Sequence, residues 1–383
     1  MEYAFPYLLL ICAFGGLAIW HDGTDDNSTR LKIECACVAL FVFFFGFRGF
    51  AFYDWNVYYP YFKTISLNSV LHLRIDAMGV GFEPGFVLLN CACKYIVNDY
   101  HFFVLVCTLI NTGLLLRFFK KYISNLPLAF MICICMNGLY LCTDLMRNSI
   151  AILILANAIE FIYKRKPFHY FGLCLLALTF HITALLFVPL YFFLHKKINK
   201  WWYAGIFAVA NVIYLMHIPV LLTLVDLIVG LISPQLQYKI TTYTELMAND
   251  EFRLSIGYLE RLLTASLVFC FYETLQKKRE DSALFLNSLI LFFISFFFFS
   301  EFKTVSQRLS YLFSFGYWVI WIDLISCFTI KSNQRLYLAF IGIYCLFKTY
   351  GSTNNIIAKY DNVLLGAQTY SQREYIYNRN YSE

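Results

Sequence analysis

The sequence is short of charge. Asp, Glu, Lys and Arg make up only 14% of its 383 residues, while 60% are hydrophobic. An average soluble domain is roughly 25% charged and 45–50% apolar. A soluble fold must cover its outside with polar groups, so this composition excludes a soluble globular enzyme and a disordered chain. The long loops hold no cysteine. The thirteen cysteines lie almost entirely within apolar runs, which excludes a secreted disulfide scaffold. Cys35/Cys37, Cys91/Cys93 and Cys133/Cys135 are each two apart. On a helix that spacing turns the thiols to different sides and does not suit a metal or redox site. There is no P-loop, glycine-rich nucleotide motif, HExxH, GxSxG or aspartate-rich motif. Neither ATP-driven work nor metal hydrolysis is expected, and no metal or cofactor is called for. Residues 3–20 lack a basic n-region and a small-residue cleavage site, so they are expected to stay as a first span. No internal repeat is visible.

What is present is a series of long apolar runs, at about 3–20, 33–50, 85–98, 102–119, 126–144, 149–163, 168–194, 202–232, 259–275, 284–300, 309–330 and 336–350. A transmembrane helix needs about 20 residues. The runs are continuous and do not alternate apolar with polar, so they read as helices. The fold class is all-α: a single polytopic membrane domain over 1–383, with about 11–13 transmembrane or re-entrant helices. The Phe-rich run 292–302 suits a lipid-facing helix.

The net charge of +6 is clustered between runs, at Lys120-Lys121, Lys164-Arg165-Lys166, Lys196-Lys197 with Lys200, Lys277-Lys278-Arg279, and Lys331 with Arg335. Cytoplasmic loops carry such an excess. No cluster forms a stripe on a soluble face, so nucleic-acid binding is not expected. The run 168–194 has a basic cluster on both flanks. With both ends cytoplasmic it must go up and return, as a short helical hairpin with His181 near its external tip. Each arm of about 13 residues spans roughly 20 Å, less than the roughly 30 Å hydrocarbon core. Counting outward from these clusters puts Arg147, Glu301, Lys303, Arg308 and the loop 233–258 on the external side. The N-terminal half is open. Simple alternation puts Arg48, Asp54 and Glu83 in the cytoplasm; a re-entrant 85–98 puts them, with Arg74 and Asp76, outside as part of an external loop 51–84.

An ionisable group at membrane depth costs at least about 2.5–3.5 kcal/mol, so each needs a reason. Arg147 is either a snorkelling helix-end charge, paired with Asp144 three residues before, or a guanidinium fork for a phosphate. His181 is either a satisfied turn histidine or a base or proton donor. Arg48 precedes Asp54 and the aromatics Tyr58-Tyr59, which read as an interfacial belt or as a surface for sugars. Glu83 either opens a helix or supplies a carboxylate. Arg308 is an anchor or a second phosphate ligand. Glu160, Glu273 and Asp323 read as structural charges at cytoplasmic helix ends.

Four stretches, GFRGFAFYDWNVYYPYF (46–62), FEPGFVLL (82–89), DLMRNSIAILILANAIEF (144–161) and LTFHITALLFVPLYFF (178–193), with a weaker QRLSYLF (307–313), together resemble the Wzy/EpsG-type bacterial polysaccharide polymerases. Asn148 stands where that family usually has Gln, and Thr183 where it has Ser. The resemblance implies a GT-C-like membrane glycosyltransferase of the cytoplasmic (inner) membrane. Its site would face the periplasm or exterior and bring Arg48, Glu83, Arg147 and His181 together. The implied substrates are glycans on undecaprenyl diphosphate, joined without metal. His181, Arg147 and Glu83 would be catalytic, and Arg48, Asp54, Tyr58 and Arg308 would bind substrate. Membrane lipid, a flippase and a chain-length regulator are the expected partners. A membrane acyltransferase acting on surface polysaccharide, a lipid-linked glycan flippase and a ligase are the alternatives.

Overall fold

The computed structural model describes residues 2–66, 81–220, 222–223 and 254–381. Arg74, Asp76 and most of the loop 233–258 lie outside them. The protein is an all-helical polytopic membrane protein. Among the described residues four helices are long and apolar enough to cross a membrane: Phe5–Gly23 (α1), Tyr100–Tyr122 (α5), Leu126–Thr143 (α6) and Met146–Tyr163 (α7). Four other apolar helices are shorter: Pro167–Leu178, Ile182–Phe192, Ser282–Phe298 and Ser314–Ile325.

The chain forms two compact units, Met1–Phe192 with Arg335–Glu383, and Phe193–Gln334. In the first, α6 and α7 form the interior. Asn125 opens α6 by accepting from the Leu128 amide at 3.0 Å. The helix breaks at Met136 and Asn137, and Asn137 has φ 73°. Gly138 follows. A Cβ there would stand 2.4 Å from the Cys133 carbonyl oxygen, so only glycine lets the kinked backbone fold this closely. Small residues and polar contacts bring α7 against its neighbours. The Asn111 amide donates to Ser149 Oγ at 2.9 Å, and Asn157 donates to the Leu114 carbonyl at 3.0 Å.

The ends of this bundle differ in charge. At one end Glu160 of α7 accepts from Arg117, Lys121 and Lys164, and Lys120 pairs with Glu34 of Asn27–Gly46 (α2) at 3.3 Å. Glu160 is thus structural, as its place suggests. Arg48, Glu83, Asp144 and Arg147 sit at the other end. Pro84–Ile96 (α4) starts and finishes at that second end, because Tyr100 opens α5 beside Met146. It therefore does not cross the bundle.

The run 168–194 forms Pro167–Leu178 (α8) and then a 3₁₀ helix, Ile182–Phe192. A 3₁₀ helix rises about 2.0 Å per residue against 1.5 Å for an α-helix. Its 11 residues span roughly 22 Å and match the roughly 18 Å of α8. The Tyr170 hydroxyl pins the arms together by donating to the Phe187 carbonyl at 2.6 Å. After Lys331–Thr353 (α15), the chain returns along residues 47–52. Gly49 N donates to Asp361 O at 2.9 Å, Val363 N to Phe47 O at 2.8 Å and Phe52 N to Ile357 O at 3.0 Å.

The second unit is built around Ser282–Phe298 (α12). Phe292, Phe293 and Phe297 are buried, which corrects the lipid-facing reading of the Phe-rich run. A helix apolar all round is one that is enclosed. Phe292 meets Tyr317 of Ser314–Ile325 (α14) at 4.6 Å, and Phe293 meets Phe207 at 5.0 Å. Gly316 allows α14 to approach the α12 backbone at Phe285 and Leu289. Asp323 pairs with Lys278 and Arg279. All thirteen cysteines are free thiols, most of them buried.

Candidate functional site

The Glu83-Pro84-Gly85 stretch docks on the tip of the α8–3₁₀ hairpin. Gly85 N donates to the Thr179 carbonyl at 2.7 Å. A Cβ at residue 85 would fall 2.3 Å from Thr179 Oγ1 and 2.8 Å from that carbonyl oxygen, so the approach requires glycine. Pro84 fits the first helical position, where no backbone donor is needed. Glu83 is thereby held at the tip. Its Oε1 accepts from the Ile182 amide at 3.1 Å, one of the donors a helix start leaves unpaired. Its Oε2 accepts from Arg147 Nη1 at 2.5 Å.

Arg147 is the second residue of α7. A cation at a helix N-terminus opposes the helix dipole, so its place there needs a compensating anion. Glu83 is that anion. The Arg147 guanidinium also lies over the Phe82 ring, 4.6 Å from its centroid, and hydrogen-bonds the Tyr58 hydroxyl. That hydroxyl donates to Asp54 Oδ2 at 3.4 Å. Burial pushes the Tyr58 phenol's titration upward and keeps it neutral.

Asp144 does not pair with Arg147. Leu145, between them, has φ −87° and ψ 48°, so Asp144 stands outside α7 and the three-residue spacing is not a helical one. Asp144 Oδ1 accepts instead from the Tyr53 and Asp54 amides at 2.8 and 3.2 Å. The residue is only 7% exposed. Burial, and next the Asp54 charge, push its carboxyl up to about 7 against the pull of those amides and of Arg48.

His181 sits at the hairpin turn. Its Nδ1 is 2.8 Å from Thr183 Oγ1, which donates to Asn148 Oδ1 at 3.1 Å. Nδ1 also accepts from the Thr183 backbone amide at 3.3 Å, so a ring lone pair faces that donor.

The structure thus joins Glu83, Arg147, Tyr58 and Asp54 in one hydrogen-bonded network, with the His181 turn held by the same carboxylate. Arg48 is different. It is 4% exposed and donates to the Phe45 and Thr143 carbonyls at 2.6 and 3.2 Å. Those bonds clasp α2 to the end of α6 and leave little surface for a substrate. Arg308 lies in the second unit, exposed in the last turn of Lys303–Tyr311; Glu301 and Lys303 belong to that unit as well. Asn148 and Thr183 emerge as the side chains that hold His181. Both stood in the quoted stretches beside Arg147 and His181, and their contact was the missing information. Among the described residues no group of three or more His, Cys, Asp or Glu side chains is placed to hold a metal ion.

Compared with known proteins, the chain matches the EpsG family over residues 33–363. No curated protein and no solved structure matches it.

Proposed function

The chain belongs to the EpsG family, and from that premise we propose that it is a polysaccharide polymerase, a membrane glycosyltransferase that joins undecaprenyl-diphosphate-linked oligosaccharide repeat units at the external face of the cytoplasmic membrane. The observation that carries this reading is the Glu83–Arg147 pair at the start of α7, beside the His181 turn and at the end of the bundle opposite the basic clusters.

The reaction forms a bond from an acceptor hydroxyl oxygen to the anomeric carbon of the donor. The bond from that carbon to the lipid diphosphate breaks, and its electron pair leaves on the diphosphate oxygen. The acceptor proton goes to a base. Arg147 and the first amides of α7 present positive charge to the leaving diphosphate. A diphosphate carries more charge than one carboxylate and displaces Glu83 from the guanidinium. The freed carboxylate, or the His181 imidazole, then takes the proton. The arginine does the work a metal would otherwise do, so the reaction runs without one.

The test is a surface-glycan gel of the native host with Arg147→Ala or His181→Ala, membrane levels being checked by a tag. Collapse of the long ladder to a single repeat unit is expected. An unchanged ladder in both variants rejects the site. Loss of every glycan species points to a flippase, and unchanged length with altered acetylation points to an acyltransferase.

A further inference from the structure

Helix Trp55–Thr64 (α3) has two functional faces. Consecutive helical residues point about 100° apart. Tyr58 turns to Arg147, while Tyr59 lines a separate cavity of about 350 Å³. That cavity lies between α3, the start of α5 and the returning C-terminal segment. Its walls alternate aromatic and polar groups, with Tyr59, Tyr100 and Tyr370 beside Asp99, His101 and Gln368. Tyr59 and Tyr370 stack on each other at 4.4 Å.

Two buried atoms of this wall, His101 Nδ1 and Gln368 Oε1, have no hydrogen-bond partner among the described residues. Buried polar atoms are normally partnered; both are closed to solvent, and each meets a ligand hydroxyl once its side chain turns into the cavity that the residue lines. The lining mixes donors with acceptors and one cation, Lys63, with one anion, Asp99. That favours a neutral polyol over a phosphate. The volume is near the lower limit of small-molecule sites, roughly 300–1,000 Å³. Gln368 also borders a second, open groove of about 480 Å³ that runs along Tyr370–Tyr381 (α16) past Gln372 and the exposed ring of Tyr375. A cavity continued by a groove suits an extended chain better than an isolated molecule.

We propose that this cavity and groove form a holding track for neutral sugar rings of the glycan chain, one helix width from the reacting linkage. The inference rests on the polymerase reading above and deepens it by adding a binding site for the part of the substrate that does not react. Aromatic rings pack against the apolar faces of pyranoses, and the two unpartnered atoms take ring hydroxyls. Gln368, Tyr370 and α16 lie beyond the stretch that matches the family, residues 33–363.

The test uses the full chain in detergent. The probe is a set of oligosaccharides released by mild acid from the surface polysaccharide of cells that carry the protein, with binding measured by calorimetry. Tyr370→Ala and Gln368→Ala are each expected to weaken binding about fivefold to tenfold. The same substitutions are expected to shorten the exported chains. Gln368→Ala removes an oxygen without a partner, so it leaves the fold's own bonds in place even if Tyr370→Ala fails to assemble. Unchanged affinity and unchanged chain length in Gln368→Ala overturn the track. If the polymerase reading itself is wrong, the Arg147→Ala ladder persists. If only the track is wrong, the ladder still depends on Arg147 while the Gln368 substitution changes nothing.

Discussion

Asp144 gives the sharpest physical test. Its carboxyl is pushed from an ordinary 3.8 up to about 7 in the folded protein. The folded state therefore binds its proton more tightly than the unfolded state does. The stability tied to this group is fully present below about pH 4, falls as pH rises, and is gone above about pH 7. At about 1.36 kcal/mol per unit, the whole difference is about 4 kcal/mol, of which about 3 kcal/mol falls between pH 5 and 8. Asp144→Asn keeps an oxygen for the Tyr53 and Asp54 amides and removes the charge. Thermal unfolding in detergent should show the wild type melting roughly 5–10 °C lower at pH 8 than at pH 5 relative to Asp144→Asn. At pH 8 the variant should be the more stable of the two. Parallel melting curves across pH 5–8, or a variant less stable at pH 8, would show that the carboxylate is compensated in a way the Arg48–Asp54–Asp144 arrangement does not account for.

Arg147→Lys keeps a charge but loses the planar fork, and ladder synthesis should fall by on the order of 10²–10³-fold, as for loss of an aligned charge-stabilising donor; near-normal synthesis would argue against bidentate contact with the diphosphate. Thr183→Val breaks the chain from Asn148 to His181 and should lower turnover while shifting the acid limb of its pH profile, with Thr183→Ser restoring both; a profile that does not move would assign Thr183 to packing alone. Gly138→Ala puts a methyl group against the Cys133 carbonyl and should destabilise the first unit by about 1–3 kcal/mol, read as lost folded yield on size-exclusion chromatography. Chelation with EDTA should leave polymer synthesis in isolated membranes unchanged, and restoration of a lost activity by added divalent cation would refute the metal-free reading.

Much of the scaffold was legible because membrane helices and basic ends leave strong one-dimensional signals. The hairpin at His181 follows from a run too long for one arm and flanked by lysines on both sides. Arg147 and Glu83 stand out as charges beside apolar runs. Other features depend on three-dimensional neighbours. Hydrocarbon and protein interior are equally apolar, so the Phe-rich run could not reveal that Phe293 and Phe297 face other helices. Asp144 and Arg147 have helical spacing, yet one non-helical residue, Leu145, separates their environments. Arg48 carries the right chemistry for an anion, but its burial against two carbonyls appears only in the fold. The C-terminal segment has no apolar periodicity. Its packing against α3 through Tyr59 and Tyr370 is visible only in the fold.

The first unit is assembled from two distant stretches of chain. Tyr7 in the first helix donates to Ala358 O at 2.8 Å, and the buried Arg373 donates to the Ile357 carbonyl at 2.6 Å. In order of synthesis, residues 193–334 leave the ribosome between the two halves. The loop at Arg48 must therefore wait for residues 355–373 before its backbone partners exist. A chain stopped early would leave the Gly49 and Phe52 amides without their Asp361 and Ile357 acceptors. A protease-protection time course on ribosome-bound chains would see residues 47–52 close only after that last segment has emerged.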